Sequence, residues 1–272
     1  MKQLSDWHMH TSFSSDSKAS IDTMAQRAVA LGLSSVCFTD HNDYDYPEYY
    51  EDGTMQFQLD ISRYIKAAAA AQKKYDGQLK IYIGVEQGLQ PHLHEKINNF
   101  DSDKQLDFII GSSHLVDGAD PYYPKYWDSH EPAASINRYF DYILENLAVC
   151  HNFDVYGHLD YIIRYAPGQD SNYNWENYKE RIDAILKMLI YKGKGIEINT
   201  GGLKYGLKET NPAYGILKRY KNLGGEIITI GSDAHKPEHL AYDFNLIPDI
   251  LKNAGFDYYT IFIKRQPHFI KL

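Results

Sequence analysis

Cysteine is nearly absent from this chain: two of 272 residues, Cys37 and Cys150, each in or beside an apolar run. Two such thiols exclude a disulfide framework and a thiolate-rich metal site, and they fit the reduced core residues of a cytoplasmic protein. Long apolar runs are missing too. No uninterrupted stretch reaches the roughly 20 residues that a membrane-spanning helix needs, and no signal peptide precedes the first apolar segment, so no membrane partner is expected. Positive charge is in deficit. With 28 Lys and Arg against 36 Asp and Glu the formal charge is -8, which argues against the broad basic face that a nucleic-acid backbone requires. Nor does any stretch rich in proline, glycine and serine interrupt the pattern, so residues 1–272 are expected to form a single domain.

What is present is a regular alternation. Short apolar runs at residues 4–9, 35–39, 80–85, 108–111, 154–157, 195–199 and 227–231 each read as a strand. Between them lie segments with helical spacing: 20–33, with Ser20 as N-cap and Gly32-Leu33 as its end, then 60–75, a weaker one at 93–100, and 134–149, 175–191 and 212–223. A last helix at 247–254 and an apolar strand at 258–263 close the pattern. Regular alternation of strand and helix means parallel strands covered by helices, and seven or eight such units favour a closed α/β barrel over an open sheet.

Ionisable residues gather where these strands end. Trp7-His8-Met9-His10 puts two imidazoles on one face of a strand, because side chains alternate with a period of two. Later strands run into Thr39-Asp40-His41, Val85-Glu86, Ser113-His114, Gly157-His158 and Ser232-Asp233-Ala234-His235. In a barrel of this kind the C-terminal strand ends share one face, which carries the catalytic groups. One histidine at a strand end is an ordinary polar side chain; this many on one face predict a metal centre. Imidazole combined with carboxylate suits Zn, Mn or Fe. The sixth strand, ending in Asn199-Thr200-Gly201-Gly202, is expected to supply no ligand. His92, His94, His130, His151 and His268 fit no strand-end pattern and are expected at the surface or in the core, whereas His239, four residues past His235, is placed to approach the site.

The ordered set His8-x-His10, Asp16, Thr39-Asp40-His41, Val85-Glu86, Ser113-His114, Gly157-His158 and Ser232-Asp233-Ala234-His235 resembles the polymerase and histidinol phosphatase (PHP) superfamily. The resemblance spans residues 7–235. It implies a TIM-like, distorted (βα)7 barrel that binds two to three divalent metal ions and hydrolyses phosphoesters. It also implies ligand sets: His8, His10, Glu86 and Asp233 for one ion, Asp16, His41 and His235 for a second, and Glu86 bridging to a third held with His114 and His158. Asp233 and His235 would position the attacking hydroxide, and Asp160, two residues past His158, would support that histidine. Many relatives carry histidine where this chain has Asp16 and arginine where it has Lys204.

Within the superfamily, His158-Leu159-Asp160-Tyr161-Ile162-Ile163-Arg164 and Glu197-Ile198-Asn199-Thr200-Gly201-Gly202-Leu203-Lys204 look most like stand-alone histidinol-phosphatases. Arg164 and Lys204 are accordingly expected to bind the substrate phosphate from outside the metal shell. Two loops, one acidic and aromatic at 43–52 and one aromatic at 120–127, follow ligand-bearing strands and are expected to overhang the active face. Negative charge and aromatic walls favour a small cationic phosphate ester such as L-histidinol phosphate. The expectation is therefore a metal-dependent phosphomonoesterase of histidine synthesis. A phosphoesterase for a phosphotyrosine protein, a nucleotide or a 3'-phosphorylated end stays open, as does a non-catalytic metal-binding accessory module, although the full ligand set speaks against the last.

Overall fold

The computed structural model describes residues 4–48, 56–100, 105–128, 131–171 and 173–272. His130 and the acidic and aromatic residues 49–52 of the first loop lie outside them. Seven parallel strands form one sheet: β1 (Ser35–Phe38), β2 (His41–Asn42), β3 (Lys80–Gly88), β4 (Phe108–Ser112), β5 (Val155–Tyr156), β6 (Gly195–Asn199) and β7 (Ile228–Gly231). Their spatial order is β1, β3, β4, β5, β6, β7, with β2 continuing β1 along the same edge of β3. Most of these strand residues are buried, as expected of parallel strands covered by helices.

The N-terminal segment closes the curled sheet. Trp7 N donates to Ile230 O at 2.8 Å and Asp233 N to His8 O at 2.8 Å, while Cys37 N donates to Asp6 O at 2.9 Å and Thr39 N to Met9 O at 3.0 Å. The segment therefore lies between β7 and β1 and supplies the seventh stave of the distorted barrel. The expected continuous strand over 4–9 is not formed; only isolated bridges at Asp6 and Met9 occur. Side chains replace ladder partners here, since Met9 N donates to Thr39 Oγ1 and His8 N to Asp6 Oδ1.

Helices follow the expected pattern closely. They are α1 (Ile21–Leu31), α2 (Ile61–Lys74), α3 (His94–Asn98), α4 (Pro132–Val149), α5 (Lys179–Tyr191), α6 (Gly201–Lys204), α7 (Tyr214–Asn222) and α8 (Ile247–Ala254). Ser20 accepts from Thr23 N and Gly32 ends α1 at φ 70, as its sequence requires. The segment expected as one helix over 175–191 opens with a 3-10 turn, Trp175–Tyr178, capped by Asn174. The one-turn α6 was not expected, because Gly201 and Gly202 disfavour a helix.

The apolar strand at 258–263 forms, but outside the barrel. As β8 (Tyr258–Ile263) it pairs antiparallel with β9 (Gln266–Lys271) through Lys264 and Arg265, both at positive φ as a two-residue hairpin turn requires. Phe262 stacks on Phe108 at 5.1 Å, and Ile228 N donates to Thr260 Oγ1. Both contacts fall at the start of a barrel strand, so the hairpin packs at the end opposite the strand-end histidines. Among the described residues, no helix is long and apolar enough to cross a membrane.

Candidate metal centre

Glu86 is the hub of the strand-end cluster. It sits near the end of β3, fully buried, and its two oxygens face different histidines. Oε1 is 2.8 Å from His158 Nε2 and 3.1 Å from His114 Nε2, and it accepts from Ser112 Oγ at 2.7 Å. Oε2 is 3.0 Å from His41 Nδ1, 3.2 Å from His8 Nε2 and 3.5 Å from His10 Nε2. Asp233 Oδ1 approaches the His8/His10 pair from the other side, 3.7 Å from His8 Nε2 and 3.4 Å from His10 Nε2. At the outer edge, Asp16 Oδ2 is 2.9 Å from His235 Nε2 and 3.6 Å from His41 Nε2. All nine residues expected to bind metal are thus brought together, from the N-terminal segment, β2 and the ends of β3, β4, β5 and β7.

The donor set suits cations. His8 Nε2 and His10 Nε2 point at each other at 3.2 Å, an arrangement that needs a proton or a metal between two lone pairs. Glu86 Oε2 and His41 Nδ1 are buried without a hydrogen-bond partner although they lie 3.0 Å apart, so their geometry is wrong for a mutual hydrogen bond. Groups such as His8, His10 and Asp233, His8, Glu86 and His158, and His41, Glu86 and His114 each place their donor atoms within 4.8 Å of one another. Burial alone would push Glu86 up, but His8, His114 and His41 hold it well below the usual carboxylate range. Asp233 is likewise held low against burial by Arg164 and His8. Burial, followed by repulsion from His235 and His41, pushes His10 well below the usual histidine range. Ionised carboxylates beside a neutral imidazole are the forms that ligate metal.

The PHP domain model matches residues 6–201 of the chain. The histidinol-phosphatase of Lactococcus lactis is 32% identical over 266 residues, covering 94% of this chain and 93% of that protein. The chain belongs to the PHP family. A crystal structure of the L. lactis histidinol phosphate phosphatase complexed with Zn, L-histidinol and phosphate superposes on this PHP chain with a TM-score of 0.87 at 28% identity, covering 98% of this chain and 99% of that one. A Listeria monocytogenes structure, 18% identical with a TM-score of 0.77 over 89% of this chain and 98% of that one, shares the fold.

The strand-end groups form the floor of a cavity of about 380 Å³ in this PHP domain. His114, His158, Asp233 and His235 line it together with Arg164 and Lys204, the expected phosphate contacts, and with His239. Tyr46 and Asp43 of the first loop and Asp120, Tyr122 and Tyr123 of the second stand over it, and Tyr46 OH donates to Asp120 Oδ2 at 2.6 Å, tying the loops together. His92, His151 and His268 are exposed.

Two expectations need correction. Arg164 is not set apart from the cluster for the substrate alone: 4% exposed, it donates from Nη1 to Asp233 Oδ2 at 2.6 Å, from Nη2 to Asn199 Oδ1 at 2.9 Å and from Nε to Asn211 Oδ1 at 2.8 Å. Its planar fork reaches three partners because β6 and the Asn211 loop converge beside β7. Asp160 does not support His158. It accepts from Asn211 Nδ2 at 2.7 Å and Ala213 N at 3.0 Å, because its side chain turns toward the loop between α6 and α7. Lys204, half-buried, donates to Asp233 O at 2.7 Å, and burial lowers its ammonium from the usual range. Two contacts were not expected from the sequence: Asp43 Oδ1 lies 2.8 Å from His114 Nδ1, and Glu197 Oε1 2.7 Å from His8 Nδ1. A charged residue between Ile196 and Ile198 in a strand buried on both faces was the available signal for Glu197, since such a group needs partners.

Asp120 provides a pH test of the cavity wall. Burial pushes its carboxyl up to about 6, against the hydrogen bond from Tyr46. A carboxyl raised in the folded state stabilises the fold most below the unfolded value and loses that contribution as pH rises through about 6. Urea unfolding of wild type and Asp120→Asn should therefore diverge between pH 4 and pH 7, with wild type losing up to about 3 kcal/mol relative to the variant. A difference independent of pH would contradict this environment.

Proposed function

We propose that this PHP-family chain is a metal-dependent phosphomonoesterase that hydrolyses L-histidinol phosphate to L-histidinol and phosphate. The observation that carries the reading is the overlapping set of His and carboxylate groups around Glu86 at the floor of a cavity whose walls carry Arg164 and Lys204 on one side and Asp43 and Asp120 on the other. The similar L. lactis enzyme, bound to Zn, L-histidinol and phosphate, supports it.

In this reading His8, His10, Glu86 and Asp233 hold one metal ion, Asp16, His41 and His235 a second, and Glu86 with His114 and His158 a third. Bound divalent ions lower the pKa of water and neutralise charge on phosphoryl oxygens, which is the chemistry phosphomonoester hydrolysis needs. Asp233 and His235 orient the attacking group. Asp233 is itself fixed by Arg164, and His235 by contact of its Nε2 with Asp16 at 2.9 Å. Arg164 and Lys204 supply positive charge toward the phosphate, Arg164 through the N–H groups that its protein partners leave free. Asp43 and Asp120 give the opposite wall the negative charge that an ammonium or imidazolium group favours, and Tyr122, Tyr161 and Tyr165 exclude water around it. The cavity volume suits a small molecule rather than a polymer. Two buried, unpaired cysteines support a reducing compartment, the cytoplasm.

The direct test is hydrolysis of L-histidinol phosphate and of generic phosphomonoesters by protein reconstituted with Zn, Mn or Fe. Activity should favour histidinol phosphate and vanish on chelation; equal rates on all esters would leave a phosphatase of other specificity. Lys204→Ala should keep its metal and lose roughly 10- to 150-fold in kcat/KM, the effect of removing a charge-assisted hydrogen bond worth about 1.5 to 3 kcal/mol. Unchanged kcat/KM in this variant would remove Lys204 from the phosphate site.

A further inference from the structure

The strand expected to supply no ligand carries a buried carboxylate behind one. Glu197 lies in the middle of β6, 1% exposed, and its partners lead into the cluster. Oε1 is 2.7 Å from His8 Nδ1, while Oε2 accepts the backbone N–H of His158 at 3.0 Å and Asn199 Nδ2 at 3.0 Å. Asn199 Nδ2 also stands 3.4 Å from His8 Nδ1, a longer contact than the one it makes to Glu197. The flanking strands leave room for this side chain. A Cβ on Gly231 would fall 2.1 Å from Glu197 Oε1 and 2.4 Å from His8 Cβ, and one on Gly157 would lie 2.5 Å from Ser112 Oγ and 3.6 Å from Glu197 Oε2.

We propose that Glu197 is a positioning residue for the metal centre, holding His8 as the Nδ1–H tautomer with its Nε2 lone pair turned toward Glu86, His10 and Asp233, and tying down the backbone of His158. The proposal rests on the reading of the cluster as a metal centre. A carboxylate can only accept, so the ring nitrogen facing it must carry the proton, and a neutral imidazole then has its free lone pair on the other nitrogen. His158 meanwhile has φ 22, unusual for a residue with a side chain, and the hydrogen bond from its N–H to Oε2 helps to hold that turn. One side chain thus fixes two histidines, one on the N-terminal segment and one just past β5.

Glutamine cannot replace it. With its oxygen toward His8, its NH2 group meets the N–H of His158 and the NH2 of Asn199, donor against donor. Flipped, it donates to His8 Nδ1 and moves the ring proton to Nε2, where the metal should bind.

The test uses zinc-loaded protein, which is diamagnetic. In a 15N-labelled histidine spectrum, wild type should show His8 protonated at Nδ1 and not at Nε2. Glu197→Gln should keep its circular dichroism spectrum but bind zinc roughly 10- to 100-fold more weakly at part of its sites, the effect of losing an outer hydrogen-bond partner of a metal-bound histidine. Gly231→Ala, whose Cβ would fall 2.1 Å from Glu197 Oε1 and 2.4 Å from His8 Cβ, should reproduce that partial zinc loss. Wild-type His8 without an Nδ1–H signal overturns the proposal even if no variant folds, and so does zinc affinity in Glu197→Gln equal to wild type. Wild-type protein that takes up no zinc would instead overturn the metal-centre reading itself.

Discussion

Glu86→Gln is expected to lose metal and turnover together, with kcat falling about 1,000-fold. Each carboxylate oxygen of Glu86 faces its own set of histidines, Oε1 toward His114 and His158 and Oε2 toward His8, His10 and His41. An amide keeps only one anionic-type acceptor. Ser112 Oγ donates to Oε1 at 2.7 Å and would hold the glutamine oxygen on that side, leaving the NH2 group directed at His8 and His41. A donor there cannot ligate, and the loss of its negative charge removes attraction for the cation. Losing about 4 kcal/mol of metal-derived stabilisation corresponds to three decades in rate. Elemental analysis and steady-state kinetics on the same preparation decide the matter: full metal content with wild-type kcat would mean that Glu86 bridges nothing.

Arg164→Ala should damage more than phosphate binding. The guanidinium is the buried counter-charge of Asp233, and it also joins Asn199 and Asn211 to that carboxylate. Breaking a buried ion pair by removing one partner costs about 3 to 5 kcal/mol, because the other charge is left without compensation. In metal-free protein of this size, that should lower Tm by roughly 6 to 20 °C. With metal present, kcat/KM and metal affinity should fall in step, since Asp233 is no longer held beside His8 and His10. Arg164→Lys should recover only part of either loss, as a single ammonium cannot reach three acceptors in one plane. The contrast with Lys204→Ala is the informative comparison. Lys204 donates to the Asp233 backbone carbonyl rather than to its carboxylate, so its removal should leave metal content alone. Normal Tm and full metal in Arg164→Ala would return this residue to a purely substrate-binding role.

The sequence by itself determined the barrel class and most of the cluster. Strand and helix periods are local properties, so runs such as Phe108–Ser112 and Gly195–Asn199 and the caps Ser20 and Gly32 could be read directly. Most of the candidate residues were equally readable because they sit at or just past strand ends, and parallel strands put such positions on one face whatever the details of closure. Tertiary structure decided the rest. How the N-terminal segment meets β7 and β1 depends on partners about 200 residues and about 30 residues away, so its broken ladder left no local trace. The hairpin partner β9 carries Gln266, Pro267 and His268 on an exposed strand, where pairing rather than hydrophobic alternation makes the structure. Arg164, Asp160 and Glu197 had the right neighbours in sequence, but their roles turned on which way a buried side chain points. Arg164 turned inward to Asp233, Asp160 away to Asn211, and Glu197 across to His8, because a buried charge goes to whichever partner the packed strands bring within hydrogen-bond reach, and that distance exists only once the barrel has closed.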